Sequence, residues 1–208
     1  MTNAIRHKSL NGVVRVPELM RVGLKIWLKI LAANRGVSFA FVLGCLKRST
    51  YDIFVDASTE WGIGGCFGPY YFQYPWDDLK CFGTDVIARK ELLAALVALV
   101  SFATHLRNRL VQLHSDNSCV VQWLVKGRSS NPIGTSFLAR WELQKYLLNC
   151  KITPIWLQGS HNTSADLLSR GSVPTWLEQR GTQSWCDLRK LAFEIQHAEL
   201  SWSPVLKA

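Results

Sequence analysis

The sequence predicts an α/β fold in which a five-stranded mixed sheet, with three antiparallel strands followed by two parallel ones, is flanked by helices. Three short segments rich in aromatic and β-branched residues follow one another closely from Tyr51, a pattern typical of an antiparallel meander. Two further strand-like segments then alternate with helical ones. A content of 48% hydrophobic and 19% charged residues is typical of a folded globular protein and argues against disorder.

The predicted elements follow in order along the chain. YDIFVDAS is the first strand, WGIGGCFG the second and YYFQYPW the third, with glycines that allow tight bends and close strand packing. A long helix is predicted over about 86–106, and LVQLHSD is the fourth strand. A short helix over 118–126 stops at Gly127, and another helix spans 135–149. The strand KITPIWLQ and one or two helical turns over 162–169 complete the order β-β-β-α-β-α-α-β-α.

These elements define a main domain over residues 51–171. Residues 1–50 are predicted to be a basic helical connector, with a helix that begins near Pro17 and ends before Gly36. Residues 172–208 are predicted to be a Trp-rich C-terminal tail with one helix.

The positive charge is concentrated at one end of the chain. The net charge is +9, and residues 1–50 contain nine Lys or Arg against a single acid, Glu18. A basic arm on a nearly neutral body suggests contact with a polyanion, nucleic acid before membrane surface. The alternative is a solvated basic segment that once packed on a neighbour that is now missing. Both interpretations stay open.

Cysteine usage and hydropathy indicate the compartment. The six cysteines form no CxxC pair and have no histidine at zinc-ligand spacing, which favours free thiols in a reducing compartment. No apolar run approaches the roughly 20 residues that span a bilayer. We therefore expect an intracellular protein, cytoplasmic or nuclear, with no membrane partner.

Four acids fall at informative positions: Asp56 in the first strand, Glu91 early in the long helix, Asp116 at the end of the fourth strand and Asp166 in the last helix. Each alone has an ordinary explanation as a turn, cap or helix-dipole residue. If the first and fourth strands are neighbours, all four carboxylates meet at one end of the sheet. Their mutual repulsion would need cations, and oxygen ligands in this number suit Mg²⁺ or Mn²⁺. Two such ions about 4 Å apart can bind the attacking water and the leaving oxygen of an in-line phosphodiester displacement.

The motifs around these acids carry a family resemblance. IFVDAS-x₂-WG, ARKELLA, HSDN and WLQGSHNTSADLLSRG together resemble the ribonuclease H domain of retrotransposon reverse transcriptases of the DIRS or gypsy type. The closing G-x₂-N-x₂-A-D-x-L-S-R pattern is the most specific part, and the resemblance covers about residues 51–171. It implies a ribonuclease H-like fold and a hydrolase, an endonuclease that cuts the RNA strand of an RNA–DNA hybrid with two Mg²⁺ or Mn²⁺ ions. The hybrid is the implied partner, and a reverse transcriptase polymerase domain is a second candidate partner.

By this resemblance Asp56, Glu91, Asp116 and Asp166 are catalytic metal ligands. His161 lies in the loop where relatives carry a histidine that handles protons or releases product, and an ordinary polar loop residue is the alternative. Candidate contacts to nucleic acid, which would be read through its shape and backbone, are Ser58, Asn117, Ser118, Lys126, Arg128 and Arg170. For Lys126 and Arg128 a solvated basic turn is equally compatible. Asn162 is expected to cap the last helix.

Two other functions remain open at this point. The chain could be a catalytically inactive nucleic-acid-binding or structural module derived from a reverse transcriptase. It could also be another polynucleotidyl transferase of the same fold, such as an integrase, although those enzymes place their glutamate on a late helix and Glu91 lies on the first.

Overall fold

A computed structural model describes residues 46–83, 86–129 and 132–196, together with the helical positions Arg21, Leu24, Leu28 and Leu31. Most of the predicted connector and the end of the predicted tail lie outside these residues. The strands are β1 (Lys47–Arg48), β2 (Ile53–Ala57), β3 (Gly62–Phe67), β4 (Tyr70–Pro75), β5 (Arg109–Ser115), β6 (Lys151–Trp156) and β7 (Thr182–Gln183). The α-helices are α1 (Trp76–Leu79), α2 (Ile87–Ser101), α3 (Ala103–Leu106), α4 (Ser118–Lys126), α5 (Pro132–Leu148), α6 (Thr163–Ser169), α7 (Thr175–Arg180) and α8 (Leu188–Gln196).

The architecture is α/β, with one mixed sheet flanked by helices, as predicted. Strands β2, β3 and β4 form an antiparallel meander. Strand β5 is parallel to β2, and β6 is parallel to β5. The three antiparallel strands and the two parallel ones are therefore confirmed.

The predicted strand number was wrong, because the described sheet has seven strands and not five. Both additional strands contain only two residues. Leu110 of β5 is aligned with Arg48 of β1 on one side and with Lys151 of β6 on the other. Strands β1 and β2 therefore pair with the same edge of β5, and β6 pairs with the opposite edge. Strand β7 pairs with the outer edge of β4. Segments this short show no alternation of polar and apolar residues, so they give no sequence signal.

Helix α2 forms the centre of the core. Every residue from Glu91 to Leu99 is buried, because the helix packs on β2 and β3 on one side and on α5 on the other. The helix ends at Ser101 and not at residue 106, and the short helix α3 follows it. A helix buried all round is normally apolar all round, which makes the single acid of this run, Glu91, the exception.

Successive side chains of β2 lie on opposite faces of the sheet. Ile53 and Val55 belong to the main core with α2, whereas Phe54 packs against the smaller cluster that contains Leu168 of α6. The alternation places Asp56 on the α6 face, at the end of the strand. Among the described residues, no helix has the length and hydropathy to cross a membrane.

Gly64 allows α6 to approach the sheet closely. It is the cross-strand partner of Asp56, and a Cβ at this position would lie 2.4 Å from the backbone carbon of Leu168. We expect Gly64→Ala to force α6 away and to lower the free energy of unfolding by about 1–3 kcal/mol. Thermal unfolding of the variant measures this loss.

Gly83→Ala is the matched control for Gly64→Ala. A Cβ at Gly83 would meet nothing within 4 Å, although its φ of +58° carries a strain of about 1–2 kcal/mol for a residue with a side chain. Only Gly64→Ala should also weaken binding of divalent cations, since α6 carries Asp166 and Ser169. Equal cation binding by both variants would show that the α6 contact does not shape the site.

Candidate metal centre

Three carboxylates meet at the carboxyl ends of the two central parallel strands. Asp56 lies in β2, and Asp116 directly follows β5. Because Phe54 is aligned with His114, the residues two positions further along, Asp56 and Asp116, reach the same level. Glu91 approaches from α2, and one carboxylate oxygen from each of the three residues lies within 4.8 Å of the others.

Glu91 is the most deeply buried of the three. Its side chain is only 4% exposed, and Oε2 is buried without a hydrogen-bond partner in the described part of the chain. Burial, followed by the negative charges of Asp56 and Asp116, raises the pKa of Glu91 well above its ordinary value. An orphaned carboxylate oxygen in such a place is costly, and a cation at that position would offset the cost.

Asp56 is held from the α6 side. The Ser169 hydroxyl donates to Asp56 Oδ2 at 2.5 Å and also lies 2.9 Å from the backbone oxygen of Asp166. Burial raises the pKa of Asp56, the bond from Ser169 opposes the rise, and the charges of Asp116 and Asp166 add to it. Ser169 is fully buried, so it fixes the orientation of the Asp56 carboxylate.

Asp116 is partly exposed and lies at the open side of the cluster. Its pKa is raised by partial burial and, more weakly, by the charge of Asp166. The indole Nε1 of Trp156 donates to the Asp116 backbone oxygen at 2.8 Å. A Cβ on Gly159 would lie 2.9 Å from Asp116 Oδ2, so the glycine leaves room for the carboxylate.

The chemistry of this donor set fits a divalent cation. Asp56, Glu91 and Asp116 could hold one metal ion, and three oxygen ligands are the kind that Mg²⁺ and Mn²⁺ prefer. Carboxylates so close together repel each other when ionised, and a divalent charge removes that repulsion. The part of the metal prediction that concerns these three residues is thus supported by their geometry, and the identity of the ion is not.

Asp166 lies beside this cluster rather than within it. Its charge is close enough to raise the pKa values of Asp56 and Asp116. Its Oδ1, however, accepts a hydrogen bond at 2.8 Å from Nε of Arg170, and Nη2 of the same guanidinium lies 2.8 Å from this oxygen in an ion pair. Arg170, predicted as a nucleic-acid contact, is therefore paired with a predicted metal ligand.

His161 lies in the 3₁₀ turn Gly159–His161. Its side chain is exposed and lines a cavity of about 320 Å³ together with Tyr51 and Trp176. It does not belong to the group of clustered ligand atoms found among the described residues. Its predicted catalytic role stays a prediction.

Two of the predicted nucleic-acid contacts have structural hydrogen bonds. Ser58 is buried; its hydroxyl donates to the backbone oxygen of Ser169 at 2.7 Å and accepts from the amides of Trp61 and Gly62, each at 3.0 Å. Asn117 caps α4, because its Oδ1 accepts from the amides of the helix's first turn at 3.1 and 3.3 Å. These bonds organise the segments that directly follow Asp56 and Asp116.

The remaining predicted contacts lie on or beside α4. Ser118 begins this helix, Lys126 ends it and Arg128 follows the left-handed Gly127 (φ 63°). All three predicted side chains are exposed, which is compatible with phosphate contact and with simple solvation. Their role stays a prediction.

Asn162 corrects one expectation about α6. It occupies the N-cap position, but its side chain makes no capping hydrogen bond. Instead Nδ2 donates to the backbone oxygen of Val55 at 2.9 Å, immediately before Asp56. The side chain of Asn162 is buried, with only 1% exposed. Its hydrogen bond to Val55 therefore links the start of α6 to β2.

Sequence reasoning missed the residues that position the carboxylates, above all Ser169 and Trp156. Ser169 is part of the L-S-R motif used for the resemblance, and its position three residues after Asp166 places it one helical turn away. That spacing could have identified it as a candidate. Trp156 carries no comparable signal, because its bond to Asp116 depends on the register between β5 and β6.

Comparison of the chain with models of protein families, with curated proteins and with solved structures finds no match.

Proposed function

We propose that this protein is a divalent-metal-dependent endonuclease that hydrolyses the RNA strand of RNA–DNA hybrids during reverse transcription of a retroelement. The observation that carries the proposal is the convergence of Asp56, Glu91 and Asp116 within 4.8 Å. The mixed sheet and its helices are compatible with the ribonuclease H-like fold that the sequence resemblance implies. We propose that the chain has this fold.

The positions of the acids in the fold favour this function over other metal-dependent functions. The first strand of the meander, the first long helix and the neighbouring parallel strand supply Asp56, Glu91 and Asp116. The following helix α6 brings Asp166 close enough to interact with two of them. A glutamate on the first long helix also distinguishes this arrangement from the integrase-like alternative.

Each acid has a distinct role in the proposed site. Asp56 interacts with all three other carboxylates, as Asp116 also does, and by the resemblance it would be the ligand that contacts both ions. Glu91 and Asp116 complete the inner ligand set, and Asp166 is the ligand at the exposed side. When bound, the ions would activate water and stabilise the negative charge of the reacting phosphate. Ser169 and the Asn162 amide keep the ligands oriented, an outer-shell role on which metal sites depend.

The test is cleavage of a hybrid whose RNA and DNA strands carry different labels. Purified protein with Mg²⁺ or Mn²⁺ should cut only the RNA strand, and EDTA should stop the reaction. Double-stranded DNA and double-stranded RNA of the same sequence are the controls and should stay intact. Binding of the hybrid without cleavage in any metal would contradict the proposal and favour the inactive module.

The N-terminal arm gives a separate prediction. Residues 1–45 contain seven Lys or Arg and one acid, whereas Lys47 and Arg48 belong to the sheet as β1. Deletion of residues 1–45 should weaken hybrid binding and reduce its salt dependence, because each lost phosphate contact lowers the slope of log K against log salt by roughly 0.7–0.9. Binding titrations at several salt concentrations measure the slope. An unchanged slope would show that the arm does not contact nucleic acid.

A further inference from the structure

We infer that Arg170 is a built-in counterion of Asp166 that a divalent cation must displace, so that Arg170 sets the affinity of the second ion. This inference rests on the proposed function, because it concerns the second of the two proposed ions. It differs from the sequence-based prediction, which assigned Arg170 to nucleic acid alone.

The contacts of Asp166 differ from those of the other three acids. Asp56, Glu91 and Asp116 face each other, and Glu91 Oε2 has no hydrogen-bond partner in the described chain. Asp166 Oδ1 instead accepts a hydrogen bond from Nε of Arg170 at 2.8 Å and lies 2.8 Å from Nη2 of the same guanidinium. The pair is four residues apart on α6 and its extension, a spacing that brings side chains to the same helix face. One negative charge of the site is thus already neutralised within the chain.

The position of Arg170 makes it a competitor for cations. Its pKa is raised by the hydrogen bond and the charge of Asp166, and in part by Asp56 and Glu60, so its positive charge is held by the acids of this end of the sheet. A cation that uses Asp166 must replace a charge-assisted hydrogen bond and the ion pair with Nη2. It must also lie near a positive charge until the guanidinium moves away. The side chain is 63% exposed, so it has room to turn into solvent.

The two cation sites should therefore differ in affinity. The first ion should bind tightly among the inner carboxylates. It neutralises their mutual repulsion and gives the unpaired Glu91 oxygen a partner. The second ion should bind with a less favourable free energy, because Asp166 loses its contact with Arg170 when the ion binds. The guanidinium released in this way is free to contact a phosphate of the substrate, so that the nucleic acid would favour the loaded state.

The experiment is calorimetric titration of the full chain with Mn²⁺, without nucleic acid. The wild type should bind two ions in a tighter and a weaker step. Arg170→Gln removes the charge and should strengthen the weaker step about threefold to tenfold, because the ion no longer has to displace a guanidinium from Asp166. Arg170→Lys keeps the charge without the planar fork and should give a smaller change. Arg180→Gln, the same substitution at an exposed arginine of α7, is the control and should leave both steps unchanged.

The outcomes separate this inference from the proposed function. If Arg170→Gln leaves the weaker step unchanged or weakens it, or if Arg180→Gln has the same effect, the counterion role is wrong while the metal site stands. Asp166→Asn should abolish the weaker step alone, and retention of both steps in that variant would also overturn the inference. If the wild type binds no Mn²⁺, or binds it equally well after Glu91→Gln, the metal site and the proposed function fail together with it.

Discussion

Asp56→Asn should reduce metal-dependent cleavage of the RNA strand by at least about a hundredfold, because removing even one hydrogen-bond donor that stabilises a transition state costs about 10²–10³ in rate. Asp56 interacts with the three other acids and has the shortest hydrogen bond of the site, from Ser169 at 2.5 Å. The asparagine keeps the volume and can still accept this bond, so the fold should persist. Initial rates with labelled hybrid, at saturating Mg²⁺, measure the effect.

Asp77→Asn is the control for this loss, because it makes the same chemical change in α1 at a side chain that is 83% exposed. It should cut hybrid at the wild-type rate. Circular dichroism and thermal unfolding of both variants establish that they are folded. If Asp56→Asn cleaved at the wild-type rate, the catalytic metal site would have to lie elsewhere in the chain.

Glu91→Gln should have opposite effects on stability without metal and on metal binding. The raised pKa of Glu91 means that the folded protein holds this proton more tightly than the unfolded chain does. Stability is therefore lost as the pH rises from the ordinary value of 4.5 through the folded-state pKa. A glutamine has no charge to bury, and its amide can donate to the neighbouring carboxylates. In EDTA at neutral pH the variant should melt at least about 2 °C above the wild type.

The same substitution removes one ligand of the cation. A cation at a hundred times its Kd should stabilise the wild type by about 2.7 kcal/mol, whereas Glu91→Gln should gain almost nothing at that concentration. Melting curves over pH 4–8, with EDTA and with Mn²⁺, give both effects in one series. A variant that is less stable than the wild type in EDTA, and stabilised equally by Mn²⁺, would contradict the role of Glu91 as a buried metal ligand.

The fold was predictable where the sequence is periodic. The three strands of the meander have alternating or aromatic-rich patterns, and the structure places them as β2, β3 and β4. The two-residue strands β1 and β7 were not predictable, because their pairing depends on neighbours already in place. The end of α2 at Ser101 was missed because no glycine or proline separates this helix from α3.

The site was predictable in its acids and not in their partners. Asp56 was singled out because it lies inside an apolar strand, and Glu91 because it directly precedes the apolar run of the long helix. The division between three clustered acids and an arginine-paired Asp166 was not predictable, because it depends on side-chain distances of a few ångströms. Ser58 and Asn117 were chosen for their proximity to the acids. In the folded chain their oxygens accept hydrogen bonds from backbone amides two to four residues further along, as short polar side chains at loops often do.

The location of a bound cation tests the central claim most directly. Crystals of the protein grown with Mn²⁺ should show an anomalous scattering peak within coordination distance, roughly 2.0–2.3 Å, of carboxylate oxygens from Asp56, Glu91 and Asp116. A crystal of Glu91→Gln grown in the same way should lose that peak or show it much weakened. A peak elsewhere on the surface, with none among these three carboxylates, would contradict the assignment of the metal centre.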